Sequence, residues 1–157
     1  ELFEVNTVNF QQIVKAAAQL VDNGKAGMLS RLAEIVEFSK SMNFQNIGIA
    51  YCWGMENDAR LVSQYLRELG LKPHPVSCTT GGFKQSDINA NSTNKAVACN
   101  PLAQAEQLNQ EAVDFTLTMG LCLGHDIIFQ KQIKSYTSTL VVKDRVHGNN
   151  PIKALRN

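Results

Sequence analysis

Four cysteines, Cys52, Cys78, Cys99 and Cys122, are the residues of this chain best suited to chemistry. Thiolates are ligands for zinc and for iron–sulfur clusters, and they are the nucleophiles of thiol chemistry. A single buried cysteine is equally a small hydrophobe that fills a core. The separations of 26, 21 and 23 residues match no short Cys-x-x-Cys ligand motif. Spacing along the chain therefore decides nothing, and the meaning of the four depends on the elements that carry them.

Those elements follow from the hydrophobic pattern. Phe10, Ile13, Val14, Ala17, Leu20 and Val21 recur at helical spacing before the stop Asp22-Asn23-Gly24, predicting one helix over 9–21. A second is predicted over 26–41, with Met28, Leu29, Leu32, Ile35, Val36 and Phe38 as its buried stripe. After this the pattern changes to short β-rich runs alternating with helices, the signature of β-α-β units. "NIGIAYC" is the first strand and "MENDARLVSQYLRELG" its helix, packing Leu61, Val62, Tyr65, Leu66 and Leu69. "KPHPVSC" is the second strand, placed near an edge by its prolines. "TTGGFKQSDINANSTNK" is a long polar loop, and Pro101 opens the next helix in "ACNPLAQAEQLN". "FTLTMGLC", "HDIIFQKQI" and "TSTLVVKD" complete the series as strand, helix and strand.

Cys52, Cys78 and Cys122 thus fall at the carboxyl ends of three strands, and Cys99 stands just before a helix. In a parallel sheet the connecting helices start at that same edge, so all four thiols are expected on one rim. Neighbouring strands are ~4.8 Å apart, close enough for these thiols to surround a metal ion or a small cluster. Helix starts near Met55, Pro101 and Asp126 would turn N–H groups and positive dipole ends toward it. Four cysteines can hold a [4Fe–4S] cluster completely, and three would leave one iron open to a further ligand. Zinc is the alternative, although all-cysteine zinc sites usually form between two knuckles rather than on four separate elements.

The same rim gathers other polar residues. His125 could donate a proton beside a cluster, and Asp126 could cap the helix. Thr79, Thr80, Lys84, Lys143 and Arg145 are candidates for a small anionic or sulfur-bearing ligand. A solvated capping segment and a solvated charge cluster are the plainer readings of these groups. His74, between two prolines, reads as structural, and nothing in the sequence assigns a position to His147.

Composition sets the outer limits. The 157 residues suffice for one domain, and 15 basic against 14 acidic residues, without long runs of either sign, offer no footprint for nucleic acid or an anionic membrane. No apolar run reaches the ~20 residues of a membrane span, so a soluble cytoplasmic protein with reduced thiols is expected. The chain begins at Glu1 rather than methionine, compatible with a removed start residue, tag or longer amino-terminal segment.

The stretches "GIAYC", "ACNPLAQAEQLN", "GLCLGHDIIFQK" and "TLVVKDRVHGNNP" resemble a widespread prokaryotic family of uncharacterised proteins described as metal-binding, over Asn46 to Leu155. The resemblance implies metal binding without a settled reaction, with Cys52, Cys78, Cys99 and Cys122 at the family's cysteine positions. Some members carry further cysteines near the amino terminus, which this chain lacks.

The expectation is a single Rossmann-like, three-layer α/β domain with a mainly parallel four-stranded sheet preceded by two helices. Residues 1–44 form a helical cover and 45–157 carry the cysteine site. The expected function is iron–sulfur binding in redox or sulfur chemistry, with an enzyme using an open iron as one form of it. The alternatives are an electron carrier or sensor with a fully coordinated cluster, a zinc-stabilised interaction domain, and a thiol-only redox protein. Besides a small ligand, a redox partner protein is the expected class of partner.

Overall fold

The computed structural model of the protein describes residues 7–156, so residues 1–6 of the expected helical cover lie outside it. The chain divides into two compact units, Glu1–Gln45 and Asn46–Asn157. In the first unit α1 (Thr7–Val21) packs against α2 (Arg31–Ser41). The second helix starts five residues later than its apolar spacing predicts. Gly27 turns the chain through a φ of +77°, and the Ser30 hydroxyl then accepts from the Ala33 N–H at 3.3 Å as an N-cap. Met28, expected in the buried stripe, is consequently exposed, while Ile35 and Val36 are buried. Along α1 the apolar arc is wider than the covered surface: Ala16 is buried, whereas Phe10, Val14 and Val21 are exposed.

The second unit is an α/β layer structure. Strands β1 (Asn46–Tyr51), β2 (Lys72–Ser77), β3 (Phe115–Met119) and β4 (Tyr136–Val141) form one sheet in the order β2-β1-β3-β4, and every pairing is parallel. The connecting helices are α3 (Glu56–Glu68), α5 (Pro101–Gln110) and α6 (Leu123–Gln132), with the single turn α4 (Gln85–Ile88) inside the long polar loop. Because such crossovers are right-handed, the reversal of direction after β2 sends α3 to one face and α5 and α6 to the other. In keeping with this, α5 and α6 pack on each other. The fold is therefore Rossmann-like and three-layered, as the alternation of elements implies.

Sequence periodicity explains which residues the sheet buries. All five residues of β3 are buried, as expected of a central parallel strand covered on both faces. β2, with Pro73 and Pro75, is an edge strand. On α3 the buried residues are Ala59, Val62, Ser63 and Leu66, while Leu61 and Leu69 of the expected stripe are exposed. The helix thus turns a narrower, smaller-residue face to the sheet than its apolar content suggests. α6 begins at Leu123 instead of near Asp126, with Cys122 at its N-cap position. Asp126 is therefore not a cap; its carboxylate accepts from Gln130 one turn on, at 3.0 Å. The tail ends in a 3-10 turn over Pro151–Leu155. Among the described residues no helix is long and apolar enough to cross a membrane.

Candidate functional site

The chain runs from β1 outward to β2 and then returns past β1 to β3, so the crevice between β1 and β3 is the topological switch point of the sheet. Tyr51 is in register with Ser77 on one side and Met119 on the other. The next residues are Cys52, Cys78 and Gly120, and the ladder continues through the first two. Cys52 N–H donates to Met119 O at 3.0 Å and Cys78 N–H to Tyr51 O at 2.8 Å. Strand alternation then puts Ala50, Cys52, Val76 and Cys78 on one face, where they pack with Ala105 and Leu108 of α5 and Phe129 of α6. Cys99 precedes α5 and joins that same cluster.

Two sulfurs meet as a result, Cys78 Sγ lying 3.4 Å from Cys99 Sγ, with Cys52 packed in the same cluster. The short turn Trp53–Met55, which opens just after Cys52, supplies backbone donors: Trp53 N–H to Cys78 Sγ at 3.4 Å, and Gly54 N–H to Cys52. Cys52 and Cys78 are buried, while Cys99 and Cys122 are half-buried, and all four are free thiols.

Cations reach this edge from β4. Lys143 Nζ donates to Cys52 Sγ at 2.8 Å, and an Arg145 Nη donates to Cys122 Sγ at 3.3 Å. The segment that carries them is held by Asp144. Its carboxylate accepts from the Val146 and His147 N–H groups, each at 2.9 Å, and pairs with the His147 ring at 3.1 Å. Those contacts, led by the His147 N–H, keep the Asp144 carboxyl below its ordinary range. The thiols respond in opposite directions. Burial pushes Cys52 up, but the Lys143 ammonium and the Gly54 N–H outweigh it and bring the thiol below its ordinary value. At Cys78 burial dominates over the Trp53 N–H, and with Cys99 alongside the thiol is pushed up to about 12.

The other candidates divide. Thr79 and Thr80 are engaged elsewhere, Thr79 with the Ser77 hydroxyl at 2.9 Å and Thr80 with Gln107 Oε1 of α5 at 2.8 Å. Lys84 is exposed at the base of the polar loop, where it bridges to Val97. His125 is half-buried in the first turn of α6. His74 lies at the opposite end of the sheet, between Asn46 and Glu111. Among the described residues, no three His, Cys, Asp or Glu side chains stand close enough together to hold one metal ion.

Gln104 is a residue that the cysteine pattern does not point to. Fully buried on α5, it donates from Nε2 to Tyr51 O at 3.1 Å and to Val76 O at 2.8 Å, tying together the ends of β1 and β2 that carry Cys52 and Cys78. Its Oε1 has no partner. Its spacing from Pro101, Ala105 and Leu108, the other buried residues of α5, was the available signal that a polar side chain enters the core.

No solved structure matches this chain. It is 42% identical over 131 residues to an uncharacterized protein of Methanocaldococcus jannaschii, in a match covering 80% of this chain and 66% of that protein. The chain thus spans just under two thirds of that relative's length. One family pattern matches residues 3–140, a stretch that includes all four cysteines and stops short of Lys143 and Arg145. On that match the chain belongs to the family described as protein of unknown function, DUF1847.

Proposed function

We propose that the protein holds an iron–sulfur cluster of the [4Fe–4S] type through Cys52, Cys78, Cys99 and Cys122, in the service of redox or sulfur chemistry. The observation that carries this reading is the 3.4 Å approach of Cys78 Sγ to Cys99 Sγ, with Cys52 packed in the same cluster at the switch point and Cys122 following the neighbouring strand β3. An all-sulfur donor set suits iron–sulfur clusters or zinc rather than magnesium or calcium. Zinc would need its sulfurs at about 2.3 Å from a single point. The four cysteines here stand on four separate elements, which favours the more extended group. A cluster distributes its cysteines over several irons, so its ligands need not share one centre.

When bound, such a cluster would supply one-electron transfer at a potential set by charge and by hydrogen bonds to its sulfurs. The residues of this chain fit that role. Lys143, Arg145 and the Trp53 N–H already donate to cysteine sulfurs. The buried Cys52 and Cys78 close the inner side of the site, and the half-buried Cys99 and Cys122 leave its outer side open to a small anionic or sulfur-bearing ligand or a redox partner. A reducing compartment such as the cytoplasm suits four free thiols.

Anaerobic purification with iron, sulfide and zinc analysis tests the reading. The expected product is brown, with roughly four irons per chain. Serine in place of Cys52, Cys99 or Cys122 should each lose most of the iron. Colourless protein with stoichiometric zinc, or full iron retention in Cys99→Ser, would overturn it.

A further inference from the structure

The polar loop 79–98 is closed at its base by backbone pairing. Asn100 N–H donates to Cys78 O and Ala98 N–H to Phe83 O, each at 2.7 Å, and Gln85 N–H donates to Ala96 O at 3.1 Å. Cys78 and Cys99 flank this loop, and their sulfurs are 3.4 Å apart. A disulfide needs about 2.05 Å between sulfurs. The backbone hydrogen bond already holds the two residues side by side, so side-chain rotation has only about 1.4 Å to close. The two thiols differ in access. Cys78 is 3% exposed, whereas Cys99 is half-buried, so an oxidant in solution meets Cys99 first.

We propose that Cys78 and Cys99 form a redox-active pair, which a peroxide converts to an intramolecular disulfide across the base of this loop. In the first step the Cys99 sulfur attacks one oxygen of hydrogen peroxide. The O–O bond breaks, the thiol becomes a sulfenic acid and one water leaves. In the second step the Cys78 sulfur attacks the Cys99 sulfur, the S–O bond breaks and a second water leaves with the proton of Cys78. The two thiols lose two electrons and two protons, and one peroxide becomes two waters. Burial of Cys78 next to Cys99 directs the sulfenic acid to this partner and away from further oxidation.

A consequence for the metal rests on the cysteine-ligation reading above. A disulfide sulfur is no longer a thiolate ligand, so closing this bond removes two of four ligands and releases iron. Peroxide would then act as a signal that empties the site.

The test uses the 157-residue chain, in metal-free and iron-reconstituted forms, with stoichiometric hydrogen peroxide followed by alkylation under denaturing conditions. Peptide mass mapping of the metal-free form should give one cross-linked pair bearing Cys78 and Cys99, with alkylatable thiols falling from four to two. Cys52→Ser and Cys122→Ser should keep the pair, and Cys99→Ser should abolish it. Cys99 driven to sulfinic acid, a Cys52–Cys78 link or intermolecular links in the metal-free form would overturn the proposal, whatever the iron analysis shows. A Cys78–Cys99 link in a protein that never takes up iron would sustain the pair and remove the cluster reading. Iron retained in a reconstituted form that has formed the link would overturn the proposed release.

Discussion

Gln104 shows how one polar side chain can shape a core. Its amide satisfies two carbonyls at the ends of β1 and β2, and Tyr51 O also receives the Cys78 N–H. Replacing it with leucine removes both donations but also the unpartnered Oε1, so the expected loss is about 1–3 kcal/mol in urea denaturation. Gln104→Glu should cost more at neutral pH, because an ionised carboxylate would face two carbonyl oxygens without water. Its folded-state pKa would be raised above the ordinary value of about 4.3. The folded state would then bind the proton more readily than the unfolded one. Stability should fall as pH rises from the unfolded value through the raised folded value, and recover on acidification. Equal stability of the Leu and Glu variants across that range would show that the carbonyls do not face the side chain in this way. The cysteines themselves were legible as candidates from residue type. That Lys143 and Arg145 would share their rim was legible too; that they meet Cys52 and Cys122 themselves, across 91 and 23 residues of chain, was not.

At the scale of elements, the turn between β3 and α6 decides where Cys122 stands. Gly120 there has a φ of +61°, and a Cβ on it would collide with the Met55 sulfur. Gly70, after α3, has a φ of +85° but open space around it. Alanine at Gly70 should cost only the left-handed conformation, about 1–2 kcal/mol. Alanine at Gly120 should cost that plus the displacement of Met55, so its loss in urea denaturation should be the larger of the two. Equal losses would mean that Met55 moves aside freely. The strand-helix alternation was readable because runs such as "IGIAY" and "FTLTM" are bounded by turn residues. The starts of α2 and α6 were not, because apolar residues continue past the true boundaries. Met28 and Leu29 precede the Ser30 cap, and Leu121 and Leu123 surround Cys122.

Across the whole molecule, the parallel sheet gathers the cysteines at its carboxyl edge, and the proposed ligation or oxidation there would be linked to folding. Any ligand bound by the folded chain and not by the unfolded one raises stability according to its concentration and affinity. Iron-loaded protein should therefore unfold at a higher temperature than the metal-free form in anaerobic calorimetry, and an unchanged Tm would argue against a site assembled by folding. The proposed Cys78–Cys99 disulfide would act instead on the unfolded chain, by closing the loop between the two residues. Peroxide-treated, metal-free protein should gain about 3 kcal/mol in denaturation without reductant and lose it when dithiothreitol is added. A loss of stability on oxidation would mean that the bond strains the loop base.

The sequence by itself determined the order of the elements and the local position of each cysteine: after β1, after β2, before α5 and after β3. These are short-range properties, set by hydrophobic period and turn chemistry within a few residues of each site. Only the tertiary structure decided the strand order β2-β1-β3-β4, and with it which side chains meet. Parallel register makes Cys52 and Cys78 neighbours on one face, the crossover to β3 carries Cys99 over that same face, and β4 beside β3 delivers the two cations. The physical reason is that strand pairing joins segments distant in the chain through backbone hydrogen bonds common to every residue but proline. Side-chain pattern can mark a strand and its buried face, but the choice of neighbour is made by the packing of all the helices and strands together.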